Sequence, residues 1–173
     1  MSQFWSECLG DGIAQGDLIR DCPIPIFPAN YVSGDNRAFP VSVSIANLIV
    51  ITQSCDLEND KVPFVSFCPY LTLAEISAVD TKFLKAGERE NIRRGRYEGF
   101  YMLPSPDDPT SNGNALIVDF REIYSLPIGF VKSHATSIGK RPRLNSPYLE
   151  HFSQAFARYF MRVGLPSSIP AFK

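Results

Sequence analysis

The segment 52–56 places five reactive side chains in succession, directly after the apolar run 48–51. An apolar run bounded by polar residues is typical of a buried β-strand, so the polar segment marks the point where a strand ends. It presents two hydroxyls, an amide, a thiol and a carboxylate, on Thr52, Gln53, Ser54, Cys55 and Asp56. These groups could serve in nucleophilic catalysis, in metal binding or in the packing of a turn.

Cys55 can act as a nucleophile only as a thiolate, which needs a neighbouring base or positive charge. His134 and His151 lie in no recognisable catalytic motif, and the carboxylate of Asp56 disfavours a second negative charge beside it. We therefore expect Cys55 to be a small buried residue that packs beneath the hydroxyls and the amide of its neighbours.

The four cysteines lie far apart in the sequence, at positions 8, 22, 55 and 68. Structural zinc sites usually contain a C-x-x-C knuckle, because one turn must present two thiolates to the ion, and the sequence has none. Cys55 and Cys68 could still meet across a hairpin with a histidine, so this possibility stays open. The sequence also lacks an H-x-H or H-E-x-x-H spacing and a glycine-rich phosphate loop. We expect neither a metal nor a cofactor.

A basic segment combines arginine with tyrosine, the pairing that grips phosphates and stacks on bases. Helical spacing would bring three of its arginines to one face, although Glu90 can pair with Arg94 and leave an ordinary solvated surface. The candidate nucleic-acid-binding residues here are Arg89, Arg93, Arg94, Arg96 and Tyr97, with Tyr101 close by.

A second basic cluster, Lys140, Arg141 and Arg143, precedes the last predicted helix. The net charge of the chain is −1, so no overall positive field would recruit nucleic acid and binding would need a local patch. We expect the two basic clusters to form such a patch together.

The first half of the chain predicts short strands with tight connections, between residues 16 and 68. The segment 41–45 alternates apolar and polar residues, and a turn at 46–47 leads into the buried run that follows. This pattern favours a small β-barrel or a strongly bent antiparallel sheet. Before it, residues 3–10 predict a short docking helix with its apolar residues on one face.

The second half predicts a helical segment at 72–96, strands within 97–132 and a long amphipathic C-terminal helix at 146–164. Thr72 and Glu75 have the spacing of a capping box, and aromatic residues recur every three or four positions in the last helix. No linker divides the chain. We predict a single α+β domain over residues 1–173.

The chain contains no apolar run of about 18 residues, the length of a membrane span. Its N-terminus has an acidic residue and no basic segment, unlike a signal peptide. Four cysteines without a secretion signal are most simply reduced thiols, so these features together predict a cytoplasmic protein without membrane contact.

The first half resembles the MazF/PemK small-barrel toxins of prokaryotes, over about residues 16–68. The resemblance lies in GDLI at 16–19, a loop with Arg37, VSVSI at 41–45, IVITQS at 49–54 and VPF at 62–64. It implies an SH3-like barrel that cleaves RNA without a metal. Arg37 would take the place of the catalytic arginine of the family, and Thr52 or Ser54 that of its catalytic hydroxyl residue.

Two hypotheses about function follow. The first is a non-catalytic prokaryotic binding or adaptor module in a toxin–antitoxin or phage-defence system, which contacts RNA, a protein partner or further copies of itself. It is motivated by the absence of a catalytic constellation and by the many aromatic residues. The alternative is a metal-independent endoribonuclease toxin that uses Arg37 with Thr52 or Ser54.

Overall fold

The computed structural model describes residues 4–29, 41–59 and 61–161, which form eight strands and five α-helices. The strands are β1 Trp5–Cys8, β2 Leu18–Ile26, β3 Ser42–Val50, β4 Phe64–Thr72, β5 Phe100–Leu103, β6 Leu116–Asp119, β7 Tyr124–Pro127 and β8 Arg141–Leu144. The helices are α1 Ser54–Glu58, α2 Leu73–Val79, α3 Ala86–Arg93, α4 Ile128–Ile138 and α5 Tyr148–Phe160, with 3₁₀ turns at Thr81–Leu84 and Asn112–Asn114.

The main sheet has the strand order β2-β3-β4-β6-β5, and every neighbouring pair is antiparallel. β7 also pairs with β4, along the opposite half of that strand from β6. β1 and β8 form a separate antiparallel pair, which an isolated bridge between Asp17 and Arg143 connects to the start of β2. The α+β class and the antiparallel sheet are confirmed, but the described strands do not close into a barrel.

Alternating side chains of the sheet pack against different helices, because successive strand residues point to opposite faces. Ile49 belongs to the core that includes Phe152 of α5, whereas Leu48 and Val50 belong to the core that includes Val131 of α4. A third core lies under α2, the following 3₁₀ turn and α3, around Phe83. The helices therefore cover both faces of the sheet.

Gly16 lies just before β2, in contact with β8 and α5. Its backbone has a φ of 84°, a conformation that favours glycine, and its carbonyl accepts a hydrogen bond from the amide of Leu144 at 3.1 Å. A Cβ atom at this position would lie 2.9 Å from Leu149 Cδ1 and 3.0 Å from Leu144 Cβ. A side chain here would separate the strand from the helix.

Two segments were assigned the wrong type of secondary structure, because contacts with residues far along the chain decide it. The described residues of the predicted helix 3–10, from Phe4 onward, do not form a helix: β1 pairs with β8, with Trp5 opposite Leu144. The strands predicted within 97–132 were expected to reach the end of that range, but β7 ends at Pro127 and α4 begins at Ile128. Helical spacing there buries Val131 and Ala135 against the sheet.

Two predicted boundaries also differ from the structure. β3 runs without interruption through residues 46–47, where a turn was expected. The helical segment 72–96 is broken into α2, a 3₁₀ turn and α3, because Asp80 adopts an extended conformation and caps the amide of Lys82. The capping box between Thr72 and Glu75 is confirmed.

The last described helix, α5, begins after Pro147 and ends at Phe160, within the predicted range 146–164. Phe152 is fully buried, and Phe156 and Tyr159 pack partly against the same core. The predicted residues beyond 161 lie outside the described residues. None of the helices in the described ranges is long and apolar enough to cross a membrane.

Candidate functional site

The hydroxyls of Thr52 and Ser54 bind the turn between β3 and α1 to neighbouring backbone amides. Thr52 Oγ1 accepts a hydrogen bond from the amide of Ser66 in β4 at 2.7 Å. Ser54 Oγ accepts one from the amide of Gln15 at 3.1 Å. The amides of Ser66 and Gln15 thus find their acceptors in side-chain hydroxyls and not in a neighbouring strand. Arg37, the third residue of the predicted catalytic set, lies outside the described residues.

The predicted burial of Cys55 was wrong, because the thiol is exposed. Gln53 is the N-cap of α1, so the segment enters a helical turn instead of continuing as a strand end. The turn directs Leu57 into the core and leaves Cys55 on the solvent side. Asp56 is also turned outward, with Lys61 Nζ 3.7 Å from its Oδ1.

We expect Cys55 to be the fast-reacting thiol of the folded protein. Burial raises the pKa of Cys22 to about 11 and that of Cys68 to about 12, so these thiols stay protonated at neutral pH. Burial and Asp17 also raise the pKa of the half-buried Cys8. Time-resolved labelling with a thiol reagent should show one rapid thiol, and Cys55→Ser should remove that phase. A rapid phase that persists in Cys55→Ser would contradict the assignment.

The described residues contain no group of three His, Cys, Asp or Glu side chains placed to hold a metal ion. Cys68 is buried in the core, whereas Cys55 is exposed, so the two thiols do not share a site. His134 Nε2 hydrogen-bonds the carbonyl of Arg20 at 2.9 Å.

The second basic cluster is mostly an internal ion network and not a surface patch. Asp17 is fully buried and accepts hydrogen bonds from Arg141 Nε at 3.0 Å and from Arg143 Nη2 at 2.9 Å. Arg141, 1% exposed, also donates to the carbonyls of Gly10 and Gly12. The guanidinium of Arg141 is thus unavailable to nucleic acid, which corrects the expected joint patch.

Lys140 is the exposed member of that cluster, and its Nζ lies 2.7 Å from Glu7 Oε1. The pair is neutral and open to solvent, so it adds little attraction for an anion.

The first basic segment, in contrast, forms one wall of a cleft of about 490 Å³, which we call the Arg–Tyr cleft. The other wall is the polar side of α5, and Phe120 lies between them. Residues on the first wall include Arg93, Arg94, Tyr97 and Tyr101, and residues on the second include His151, Gln154, Arg158 and Tyr159.

Two glycines shape the first wall. α3 ends at Arg93, and the chain then turns at Gly95 and Gly99, which have φ values of 64° and 91°. Gly99 is buried, and a Cβ there would lie 3.0 Å from the Arg121 side chain and 3.4 Å from the Tyr159 ring. The turn brings the end of α3 and the start of β5 to the same opening.

The cleft has a positive balance of charge. Glu90, behind the wall, accepts hydrogen bonds from both Arg93 and Arg94, and these contacts lower its pKa to about 2. One carboxylate therefore serves two guanidinium groups. Arg158 adds a third guanidinium group, and the described residues show no carboxylate partner for it. Among the residues that line the cleft, Glu98 supplies the one carboxylate.

The aromatic rings of the cleft are held in place by core contacts. The Tyr101 ring stacks on Phe120 with centroids 6.0 Å apart and meets Phe152 edge-on at 5.7 Å. The Tyr97 ring packs against Phe83 and Phe100 at 6.1 and 5.8 Å. Rings fixed in this way offer a partly exposed surface for stacking at little further cost in conformational entropy.

The structure thus unites part of the predicted nucleic-acid-binding set and separates the rest. Arg93, Arg94 and Tyr97 lie in the Arg–Tyr cleft, whereas Arg89 lines a different depression and Arg96 is not part of the lining. The helix α5 contributes residues that no sequence motif marks. Its polar face, with Gln154 and Arg158 four residues apart, was the signal in the sequence that could have identified them.

The Arg–Tyr cleft has the chemistry of an anion-binding and base-stacking surface: cationic hydrogen-bond donors stand beside fixed aromatic rings. Its lining includes no residue of the segment 52–56. The chain matches no protein-family profile, no curated protein and no solved structure. Its function is therefore inferred from the geometry of the site itself.

Proposed function

We propose that the protein is a non-catalytic binding module that holds a segment of single-stranded RNA in the Arg–Tyr cleft. The observation that carries this proposal is the convergence of Arg93, Arg94 and Arg158 with partly exposed tyrosine rings in one opening of about 490 Å³. Arginine binds phosphate through paired N–H donors, and bases of any sequence stack on aromatic rings.

The arrangement of the two walls supports a particular mode of binding. Arg158 on α5 would contact phosphate directly, because no carboxylate in the described part of the chain competes for its guanidinium. Arg93 and Arg94 share Glu90 and would add the weaker attraction of a partly neutralised pair. The rings of Tyr97 and Tyr101 would receive the bases of one or two nucleotides.

The charge-reversal variant Arg158→Glu tests the proposal. We expect it to lower the affinity for a short single-stranded RNA about tenfold and to flatten the salt dependence by roughly 0.7 in log–log slope for each lost phosphate contact. Fluorescence anisotropy across a salt series measures both quantities. The matched control is Lys140→Glu, which makes the same change of charge outside the cleft and should change the affinity less than about twofold.

Absence of RNA binding by the wild-type protein at low salt would contradict the proposal. Equal losses of RNA affinity in Arg158→Glu and Lys140→Glu would also contradict it, because they would show that RNA responds only to the net charge of the protein. We further propose that the module works in a toxin–antitoxin or phage-defence system, alongside a protein partner or a second copy.

The alternative proposal is a metal-independent ribonuclease of the MazF/PemK type, with an SH3-like arrangement of its first half. Thr52 and Ser54 do lie within one turn, but their oxygens accept backbone hydrogen bonds and would also have to assist the reaction. Cleavage of RNA by the purified protein in the presence of a chelator would favour this alternative. Arg37→Ala should then abolish cleavage and leave binding in the Arg–Tyr cleft intact.

A further inference from the structure

We infer that the RNA held in the Arg–Tyr cleft continues over α3 into a second depression, so that the ligand is an extended single strand and not a nucleotide or a dinucleotide. We call this space the α3 depression; its volume is about 410 Å³. The described residues that line it are Leu73, Ala86, Arg89, Glu90, Arg93 and Met102. The inference rests on the proposed function, to which it adds the length of the ligand and the path that it takes.

Arg93 connects the two spaces, because its side chain lines both the Arg–Tyr cleft and the α3 depression. Arg89 lies four residues earlier in α3, and side chains with this spacing are neighbours on one face of a helix. The rise of a helix separates two such positions by about 6 Å along its axis. Neighbouring phosphates of an extended single strand are a comparable distance apart, so consecutive phosphates can reach consecutive arginines.

The α3 depression keeps a positive balance of charge. Arg89 is half-buried, and no carboxylate within the described ranges pairs with its guanidinium. Glu90 is the one carboxylate among the described lining residues, and it accepts hydrogen bonds from Arg93 Nε at 2.6 Å and from Arg93 Nη2 at 2.7 Å. The other N–H groups of Arg93 remain for a phosphate. Glu90 therefore offsets only part of the positive charge in this depression.

The floor of the α3 depression is apolar and can receive a base. Leu73 is 4% exposed, and Met102 packs partly against the core around Phe83. A methionine sulfur makes favourable contacts with aromatic rings, and a base presents such a ring. The depression thus repeats the combination found in the cleft, with guanidinium groups for a phosphate beside a surface for a base.

The experiment compares a trinucleotide, which the Arg–Tyr cleft can hold alone, with an octanucleotide of the same base, which can reach both spaces. Fluorescence anisotropy measures the affinity of each strand for the wild-type protein and for Arg89→Gln, which removes the charge and keeps a good helix former. We expect Arg89→Gln to weaken binding of the octanucleotide about tenfold, the effect of one hydrogen bond to a charged group. The trinucleotide should lose less than about twofold, because only the screened charge of Arg89 acts on it from a distance.

A salt series gives a second readout of the same contact. In Arg89→Gln, the log–log salt dependence of octanucleotide binding should flatten by roughly 0.7, the value for one phosphate contact in a single strand. The salt dependence of trinucleotide binding should stay as it is in the wild-type protein.

Arg96→Gln is the matched control. Arg96 is exposed and lies outside the lining of both spaces, so the same change of charge should alter the affinity for either strand less than about twofold. A longer strand also offers more binding registers, but this statistical advantage is the same in all three proteins. The decisive quantity is therefore the loss that is specific to Arg89→Gln with the octanucleotide.

A measurement on the wild-type protein does not depend on the folding of a variant. In ¹H–¹⁵N spectra, the octanucleotide should shift the side-chain Nε–Hε signal of Arg89 and the amide of Ala86. The trinucleotide should shift signals of the Arg–Tyr cleft and leave these two in place.

Three results would overturn the inference: equal losses for the two strands in Arg89→Gln, no loss for either strand, or an Arg89 signal that the octanucleotide leaves unchanged. If Arg158→Glu still weakens binding of both strands in such a case, the proposed function stands and only the path over α3 is wrong. If neither strand binds the wild-type protein, the proposed function fails and this inference fails with it.

Discussion

Replacement of Asp17 by Asn is expected to lower the free energy of unfolding by about 3–5 kcal/mol, because it leaves a buried arginine without its counter-charge. Asp17 is fully buried and Arg141 is 1% exposed, so water cannot replace the lost partner. Arg141 also holds the carbonyls of Gly10 and Gly12, so the loop before β2 would loosen with it. Urea unfolding followed by circular dichroism measures the change.

The exposed ion pair of Lys140 with Glu7 provides the matched control. Lys140→Ala should cost less than about 1 kcal/mol, because surface ion pairs contribute little. If Asp17→Asn lowers the free energy of unfolding as little as Lys140→Ala does, the network around Asp17 does not stabilise the junction of β1, β2 and β8.

Phe152→Ala should lower the free energy of unfolding by about 3–5 kcal/mol through the cavity that it leaves in the core. Phe152 is fully buried and meets the rings of Tyr101 and Phe120, each with centroids 5.7 Å away. It fixes α5 against the sheet and so positions the wall of the Arg–Tyr cleft that carries Arg158. We therefore also expect weaker RNA binding, measured under conditions where the variant remains folded.

Phe160, on the same helix, is the control of the same residue type. It is 52% exposed, so Phe160→Ala should cost about 1 kcal/mol or less and leave the cleft in place. Similar losses of stability in the two variants would contradict the assignment of Phe152 as the residue that anchors α5.

Local signals predicted some elements correctly because short-range physics decides them. The Thr72–Glu75 capping box needs only four neighbouring residues, and both of its hydrogen bonds are present in the structure. The apolar run after residue 47 is also buried as predicted, at the end of β3, although the alternating residues 42–45 before it are all exposed.

Other features could not be read from local sequence, because partners far along the chain decide them. Trp5 lies in a strand because β8 pairs with it, and Val131 lies in a helix because that spacing buries it on the sheet. The same holds for the candidate sites. Arg141 and Arg143 are typical surface cations in the sequence, yet both pair with the buried Asp17, more than a hundred residues earlier, and Arg141 is itself buried.

The sequence by itself determined the α+β class, the capping box and the pairing of arginine with tyrosine at 93–101, because composition and short spacings carry this information. Only the tertiary structure decided that α5 completes the Arg–Tyr cleft and that Cys55 faces solvent. Each of these depends on which strands pair and which helix faces the sheet. That choice is made by the burial of the whole core, and no short segment of the sequence encodes it alone.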